Sequence, residues 1–174
     1  MNLALTGFMG AGKTTVGRRL ARMIGMDFAD SDAEIARVHG PISDIFANEG
    51  EARFRAYERE ALERLCAADG SVIAVGGGAV VDSNNRALLR ARCLVVHLAV
   101  SPAGAHARVA HRTHRPLLGE APDLTRITTL LEERAGAYAD NDLSINADGA
   151  SPGKIAGAIA RWYRERIQPP RESR

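Results

Sequence analysis

Residues Gly7-Phe8-Met9-Gly10-Ala11-Gly12-Lys13-Thr14 fit G-x-x-x-x-G-K-[ST] and stand directly behind a short apolar run, Leu3-Ala4-Leu5. No other feature of the chain constrains its fold as much. A buried strand must lead into such a loop and a helix must leave it. The glycines turn backbone N–H groups inward, and the helix start adds its positive dipole end. A cradle of this kind holds phosphate. Lys13 is placed to reach the β- and γ-phosphates, and Thr14 offers a hydroxyl to Mg²⁺. The expected ATP-binding stretch is Gly10, Ala11, Gly12, Lys13, Thr14 and Thr15. The glycine order is G-x-x-G-x-G, which is not the dinucleotide fingerprint. The lysine also goes against the habit of the chain, which carries 21 arginines and only two lysines, Lys13 and Lys154. A compact, rotatable ammonium suits a phosphate held by a point charge.

The remaining pattern alternates strands with helices. Strands are expected at Asn2 to Thr6, Asp27 to Ala29, Val72 to Val75, Cys93 to Val100 and Leu143 to Asn146. Helices are expected at Lys13 to Ile24, Ser31 to Val38, Ile42 to Asn48, Glu51 to Ala67, Asn84 to Arg90 and Leu124 to Tyr138. Val16, Leu20, Met23 and Ile24 form the apolar face of the first helix. Ser101-Pro102 and Ser151-Pro152 are matching helix starts, serine capping and proline in the first turn. They open helices near Ala103 to Ala110 and Gly153 to Ile167. Such alternation means an α/β chain with a parallel sheet covered on both faces. Ligands of these sheets lie at the carboxyl ends of the strands.

The 174 residues suit one domain, 1–168, with a lid near 111–122 and a frayed tail at 169–174. A net charge of +2 with no basic block argues against nucleic acid as a partner. No apolar run is long enough to span a bilayer, and no basic segment with a cleavage site precedes Lys13. A cytoplasmic monomer without membrane contact is expected. Cys66 and Cys93 form no CxxC pair and read as small buried apolar residues in a reducing compartment.

Other segments carry candidate chemistry, each beside a plainer reading. In Phe28-Ala29-Asp30-Ser31-Asp32, alternate carboxylates at a strand end can face a metal and a phosphate acceptor. Asp30 or Ser31 could equally be a helix cap. Arg55 and Glu58 are i,i+3 neighbours, so the glutamate can hold the guanidinium, but spacing alone favours a solvated ion pair. Gly76-Gly77-Gly78 at a strand end permits close approach of a ligand to the backbone. His111-Arg112-Thr113-His114-Arg115-Pro116-Leu117-Leu118 is basic and broken by proline. It is either a mobile lid that brings Arg115 onto phosphate or a surface loop. His111 and His114 have metal-like spacing, but Pro116 and the lack of acidic partners argue against a metal there. Arg134 and Tyr138, at i,i+4, read most simply as a surface pair.

Together these segments resemble shikimate kinase in order and approximate spacing across nearly the whole chain. The matching pieces are Gly7 to Thr14, Phe28 to Asp32, "IFANEGEARFR" running on to Glu58, Gly76 to Gly78, Arg115-Pro116-Leu117-Leu118, and Arg134 with Tyr138. Many NTPases share the first piece, whereas the combination of FR-x-x-E, GGG and RPLL is far more specific. The resemblance implies a three-layer P-loop kinase fold like that of nucleoside monophosphate kinases, with a five-stranded parallel sheet in order 2-3-1-4-5. It also implies transfer of phosphate from MgATP to the 3-hydroxyl of shikimate, on the route to chorismate and the aromatic amino acids. By matched position, Thr14 and Asp30 would hold Mg²⁺, Asp30 directly or through water. Asp32 would hold the accepting hydroxyl and act as base or positioner. Arg55 and Arg134 would clamp the carboxylate, with Glu58 fixing Arg55. Gly76, Gly77 and Gly78 would line the substrate, Gly77 with its backbone. Lys13 and Arg115 would meet the phosphates, and Arg108 and Pro152 would flank adenine. The chain departs from the pattern in Asn141 and Asp142, polar just before the last strand, and in Gly104 and Gly157, which weaken two helices. Rival readings are another small-molecule kinase, acting on gluconate or a nucleoside monophosphate, and a nucleotide-binding regulatory module without catalysis. Paired arginines and GGG favour a carboxylated cyclitol over the first. Asp32 and Arg115 count against the second, since binding alone needs neither.

Overall fold

A computed structural model of the chain describes residues 1–109 and 123–167. Five parallel strands form one sheet. They are β1 (Asn2–Thr6), β2 (Asp27–Asp30), β3 (Ser71–Ala74), β4 (Cys93–Ala99) and β5 (Leu143–Asn146), in the order β2-β3-β1-β4-β5. The helices are α1 (Lys13–Ile24), α2 (Ser31–His39), α3 (Ile42–Asn48), α4 (Gly50–Cys66), α5 (Ser83–Arg92), α6 (Pro102–Val109), α7 (Leu124–Tyr138) and α8 (Pro152–Ile167). A short 3₁₀ turn at Ala79–Val81 follows β3.

The period-2 alternation of the strands divides the core in two. Leu3, Leu5, Val72, Val96 and Leu98 face α1 and α8. Ala4, Ile73 and Val95 face the opposite way, onto α4, α5, α6 and α7. A third, smaller cluster joins α2, α3 and α4 through Ile35, Ile45, Phe54, Tyr57 and Ala61. The apolar face expected for α1 is correct at Val16 and Leu20, but Met23 is 45% exposed and Ala21 is buried instead. Helical spacing alone does not separate two positions at the margin of a stripe.

Five helix starts follow the sequence closely because side-chain caps set them, while α1, α3 and α4 begin without one. Asp30, Asp82 and Asp123 accept bonds from backbone N–H groups at the starts of α2, α5 and α7. Ser101 and Ser151 accept from Gly104 and Lys154 at the starts of α6 and α8. Two of the departures from the pattern also find reasons. Asp142 accepts from the Val95 N–H at 2.8 Å and pairs with Arg90 at 2.8 Å, so it anchors the start of β5. A side chain at Gly104 would run into the Asp148 carboxylate, which itself accepts from the Ser101 N–H.

β1 lies between β3 and β4, and the chain leaves it for β2, beyond β3. The strand order reverses there, and the crevice above such a point is where an open α/β sheet binds its ligand. The loops after β1, β2 and β3 all open onto it.

Candidate active site

The loop after β1 is shaped by glycine. A Cβ at Gly7 would lie 2.5 Å from the Leu98 carbonyl oxygen, and Gly12 has φ 93° immediately before α1. Lys13 folds its ammonium back over the loop, donating to the carbonyls of Gly7 at 2.7 Å and Phe8 at 3.1 Å. Thr14 donates its hydroxyl to Asp30 Oδ2 at 2.7 Å. The other oxygen, Asp30 Oδ1, accepts from the Asp32 and Ala33 N–H groups. The cap expected at Asp30 is present in one oxygen, and the other is turned to Thr14. Two hard oxygens side by side fit Mg²⁺, which keeps several waters and takes its remaining ligands from phosphate. Among the described residues no group of three or more His, Cys, Asp or Glu could cage a metal.

A cleft of about 430 Å³ runs from this loop. Gly10, Ala11, Gly12, Lys13, Thr14, Thr15, Asp30, Asp32, Gly77, Arg108 and Pro152 all line it. Arg108 is tied down at both ends of its guanidinium, to the Gly10 carbonyl at 3.1 Å and to Ala147 at 2.6 Å. Arg115, with His111, His114 and the rest of the expected lid, lies outside the described residues, as does the expected tail.

Where the cleft reaches Asp32 and Gly77, a second set of charged groups begins. It is built around the glycines after β3. A Cβ at Gly76 would lie 2.7 Å from Asp32 Oδ1 and 2.9 Å from Glu58 Oε1, and one at Gly78 would lie 2.9 Å from Arg55 Nη1. These glycines make room for side chains from α2 and α4, which adds a second reason for them beside ligand approach. Ser31, fully buried, accepts from the Gly76 N–H at 2.8 Å and ties the loop to α2.

Arg55 donates to Glu58 at 2.8 Å and to Glu51 at 2.9 Å. Glu58 is only 1% exposed, so the pair is not the solvated one that spacing alone favours. Burial pushes the Glu58 carboxyl above its ordinary value; the Arg55 guanidinium opposes the rise and Asp32 adds to it. Arg134, on α7, also acts on Glu58. It is 7% exposed, lies with its guanidinium 5.7 Å from the Phe8 ring centre, and donates to the Gly77 carbonyl at 3.3 Å. The two arginines thus approach one glycine loop from different helices.

Arg134 and Tyr138 are not a surface pair. Tyr138 is 5% exposed and donates to the same Gly77 carbonyl at 2.6 Å. Its ring stacks on His97, centres 4.8 Å apart, and His97 Nδ1 lies 3.5 Å from the Thr6 hydroxyl. Burial and the nearby Lys13 charge push His97 down to about 4, so its ring is neutral at neutral pH. His97, Glu51 and Ser31 are contacts that motif reading missed. A sequence signal existed for the burial of Arg134 and Glu58. The buried stripe of α7 is Ile127, Leu130, Arg134 and Tyr138, and that of α4 includes Phe54, Glu58, Ala61 and Leu62. A charge inside an otherwise apolar stripe is a buried charge with a partner.

Cys66 and Cys93 are buried as expected, and the fold brings their sulfurs to 3.8 Å. They sit at the end of α4 and the start of β4, away from the cleft.

The sequence profile of the shikimate kinase family matches residues 9–164. A shikimate kinase of Moorella thermoacetica is 45% identical over 169 residues, 96% of this chain and 94% of that protein. One of Geobacter sulfurreducens is 44% identical, covering 94% and 91%. Among solved structures, shikimate kinase from Acinetobacter baumannii in complex with shikimate superposes with a TM-score of 0.92 at 35% identity, over 97% of this chain and 95% of that one.

Proposed function

The chain belongs to the shikimate kinase family, and from that premise we propose that it transfers the γ-phosphoryl group of ATP to the 3-hydroxyl of shikimate. The observation that carries the reading is the junction of two charged sites at Asp32 and Gly77. One is a phosphate cradle with Lys13, Thr14 and Asp30. The other presents Arg55 and Arg134 from two helices around one glycine loop.

Phosphoryl transfer asks little covalent chemistry of a protein and much positioning and charge stabilisation. The backbone N–H groups from Gly10 to Thr15 and the Lys13 ammonium hold the β- and γ-phosphates. Thr14 and Asp30 would hold Mg²⁺, which when bound would neutralise phosphate charge during transfer. Arg108 and Pro152 flank the adenine. Arg55 and Arg134 grip the shikimate carboxylate, and Glu58 keeps Arg55 aimed. The ring so anchored lies along Gly76, Gly77 and Gly78 with its 3-hydroxyl toward Asp32. The Asp32 carboxylate orients that hydroxyl and takes its proton as the oxygen attacks the γ-phosphorus. Arg115 supplies positive charge to the phosphates during transfer. Every one of these roles falls on this one chain, in keeping with a monomer. No helix among the described residues is long and apolar enough to cross a membrane, in keeping with a cytoplasmic site of action.

The test is ADP release in the presence of Mg²⁺ over a panel of acceptors. Shikimate should be required, with gluconate and AMP giving no more than the acceptor-free rate. Equal rates with gluconate, or none with shikimate, would overturn the reading.

A further inference from the structure

We propose that Tyr138 is a positioning residue of the acceptor site: its hydroxyl keeps the Gly77 carbonyl bonded so that Arg134 can leave that carbonyl for the substrate carboxylate. The inference rests on the preceding reading, in which Arg134 grips shikimate.

The Gly77 carbonyl collects two donors from consecutive turns of α7, Tyr138 at 2.6 Å and Arg134 at 3.3 Å. A carbonyl oxygen has two lone pairs and can accept both. The two donors differ in what else they can do. Arg134 carries a charge and several N–H groups, and its bond to this neutral oxygen is the longer one. A carboxylate offers it a charged acceptor and two oxygens in the plane of its fork, where the carbonyl offers one neutral oxygen. Once Arg134 turns to the anion, this half-buried carbonyl would be left without a protein donor, at part of the cost of an unpaired polar group. Tyr138 removes that cost. Burial pushes its phenol up, so the hydroxyl stays protonated and donates.

Tyr138 is well fixed for this work, since its ring is 5% exposed and stacks on His97. What it fixes is intrinsically loose. A Gly-Gly peptide rotates more freely than any other. The peptide unit is planar and trans, so holding the Gly77 oxygen toward α7 turns the Gly78 N–H away from α7. Tyr138 therefore sets both the freedom of Arg134 and the orientation of the backbone that the substrate meets. A residue that only filled the core would need the ring and not the hydroxyl.

Tyr138→Phe keeps the ring and its stack and removes the donor. The expected result is a shikimate KM raised up to about tenfold, the worth of one hydrogen bond, with KM for ATP and kcat at saturating shikimate nearly unchanged. Partial loss of folded protein would lower the apparent kcat without moving KM, so KM reads the proposal even in a weakened variant. The effect should pass through Arg134. In an Arg134→Ala background, Tyr138→Phe should add much less than it does alone, whereas a separate structural role would add in full. An unchanged shikimate KM, an equal rise in KM for ATP, or full additivity with Arg134→Ala would overturn the proposal. Failure of the wild-type enzyme to use shikimate would instead overturn the reading beneath it.

Discussion

Replacing Arg55 by lysine tests whether the acceptor site reads a planar anion or merely a negative charge. Arg55 spends one N–H on Glu58 and one on Glu51, at 2.8 and 2.9 Å. Its remaining N–H groups are free to meet a carboxylate in the plane of the fork. A lysine ammonium can satisfy Glu58 or face the ligand, but cannot copy that two-point geometry. Truncating one partner of a buried charge pair costs about 2–5 kcal/mol. Glu58 is 1% exposed, but the Arg55 side chain is 27% exposed, so solvent tempers the loss. The lower part of that range applies, about 2–3 kcal/mol, or roughly 30- to 150-fold in shikimate affinity. Arg55→Ala should do little worse. ATP affinity should stay close to wild type, because Arg55 does not line the phosphate cleft. The assay is calorimetric titration of wild type, Arg55→Lys and Arg55→Ala with shikimate and with its carboxamide. The amide lacks the charge, so it should bind wild type poorly and lose little more in the variants. If acid and amide suffer equally, the carboxylate is held elsewhere and the reasoning fails.

Asp32→Asn should lower kcat by about 10²- to 10⁴-fold, the range of a general base or positioner, while the ATP dissociation constant is unchanged; near-normal turnover would remove Asp32 from the mechanism. Acidification should raise the shikimate KM through Glu58, whose buried carboxyl sits above its ordinary value, so the form that holds Arg55 is lost at a higher pH than usual. Its effect on folding has the opposite sign. The native state binds the extra proton, so ionisation of Glu58 as pH rises reduces stability. For His97 the unfolded chain binds the extra proton between pH 6.5 and about 4, so stability falls as pH drops through that window. In His97→Asn, denaturant midpoints across the window should show a shallower decline, and an identical slope would contradict the neutral, buried ring.

The cradle and the helix boundaries were legible in the sequence because they depend on local chemistry. Glycines at forced dihedrals, aspartate and serine caps, and proline in a first turn act within a few residues of themselves. The sheet order was not legible from periodicity, since alternation shows that strands pair in parallel and not which ones neighbour. It came with the family resemblance. The acceptor side was legible only in part. Arg55, Glu58 and Arg134 looked like solvated charges while taken in pairs, and their burial emerges only from the apolar stripes in which they sit. Tyr138 was harder still. Its partner is a backbone carbonyl 61 residues away, and no side-chain pattern announces such a bond. His97 escaped for the same reason, as its contacts are set by the packing of β4 against α7, whereas Glu51, at i,i+4 from Arg55, was open to the same spacing rule as Glu58.

The central claim is that Arg55 and Arg134 anchor shikimate so that its 3-hydroxyl, and no other, meets Asp32 and the γ-phosphate. Phosphorus–proton correlation spectroscopy of the product made from MgATP and shikimate tests this directly. One phosphomonoester is expected, coupled to the proton on C3 and formed in step with ADP. Phosphate on another ring oxygen, or a mixture of positions, would contradict it.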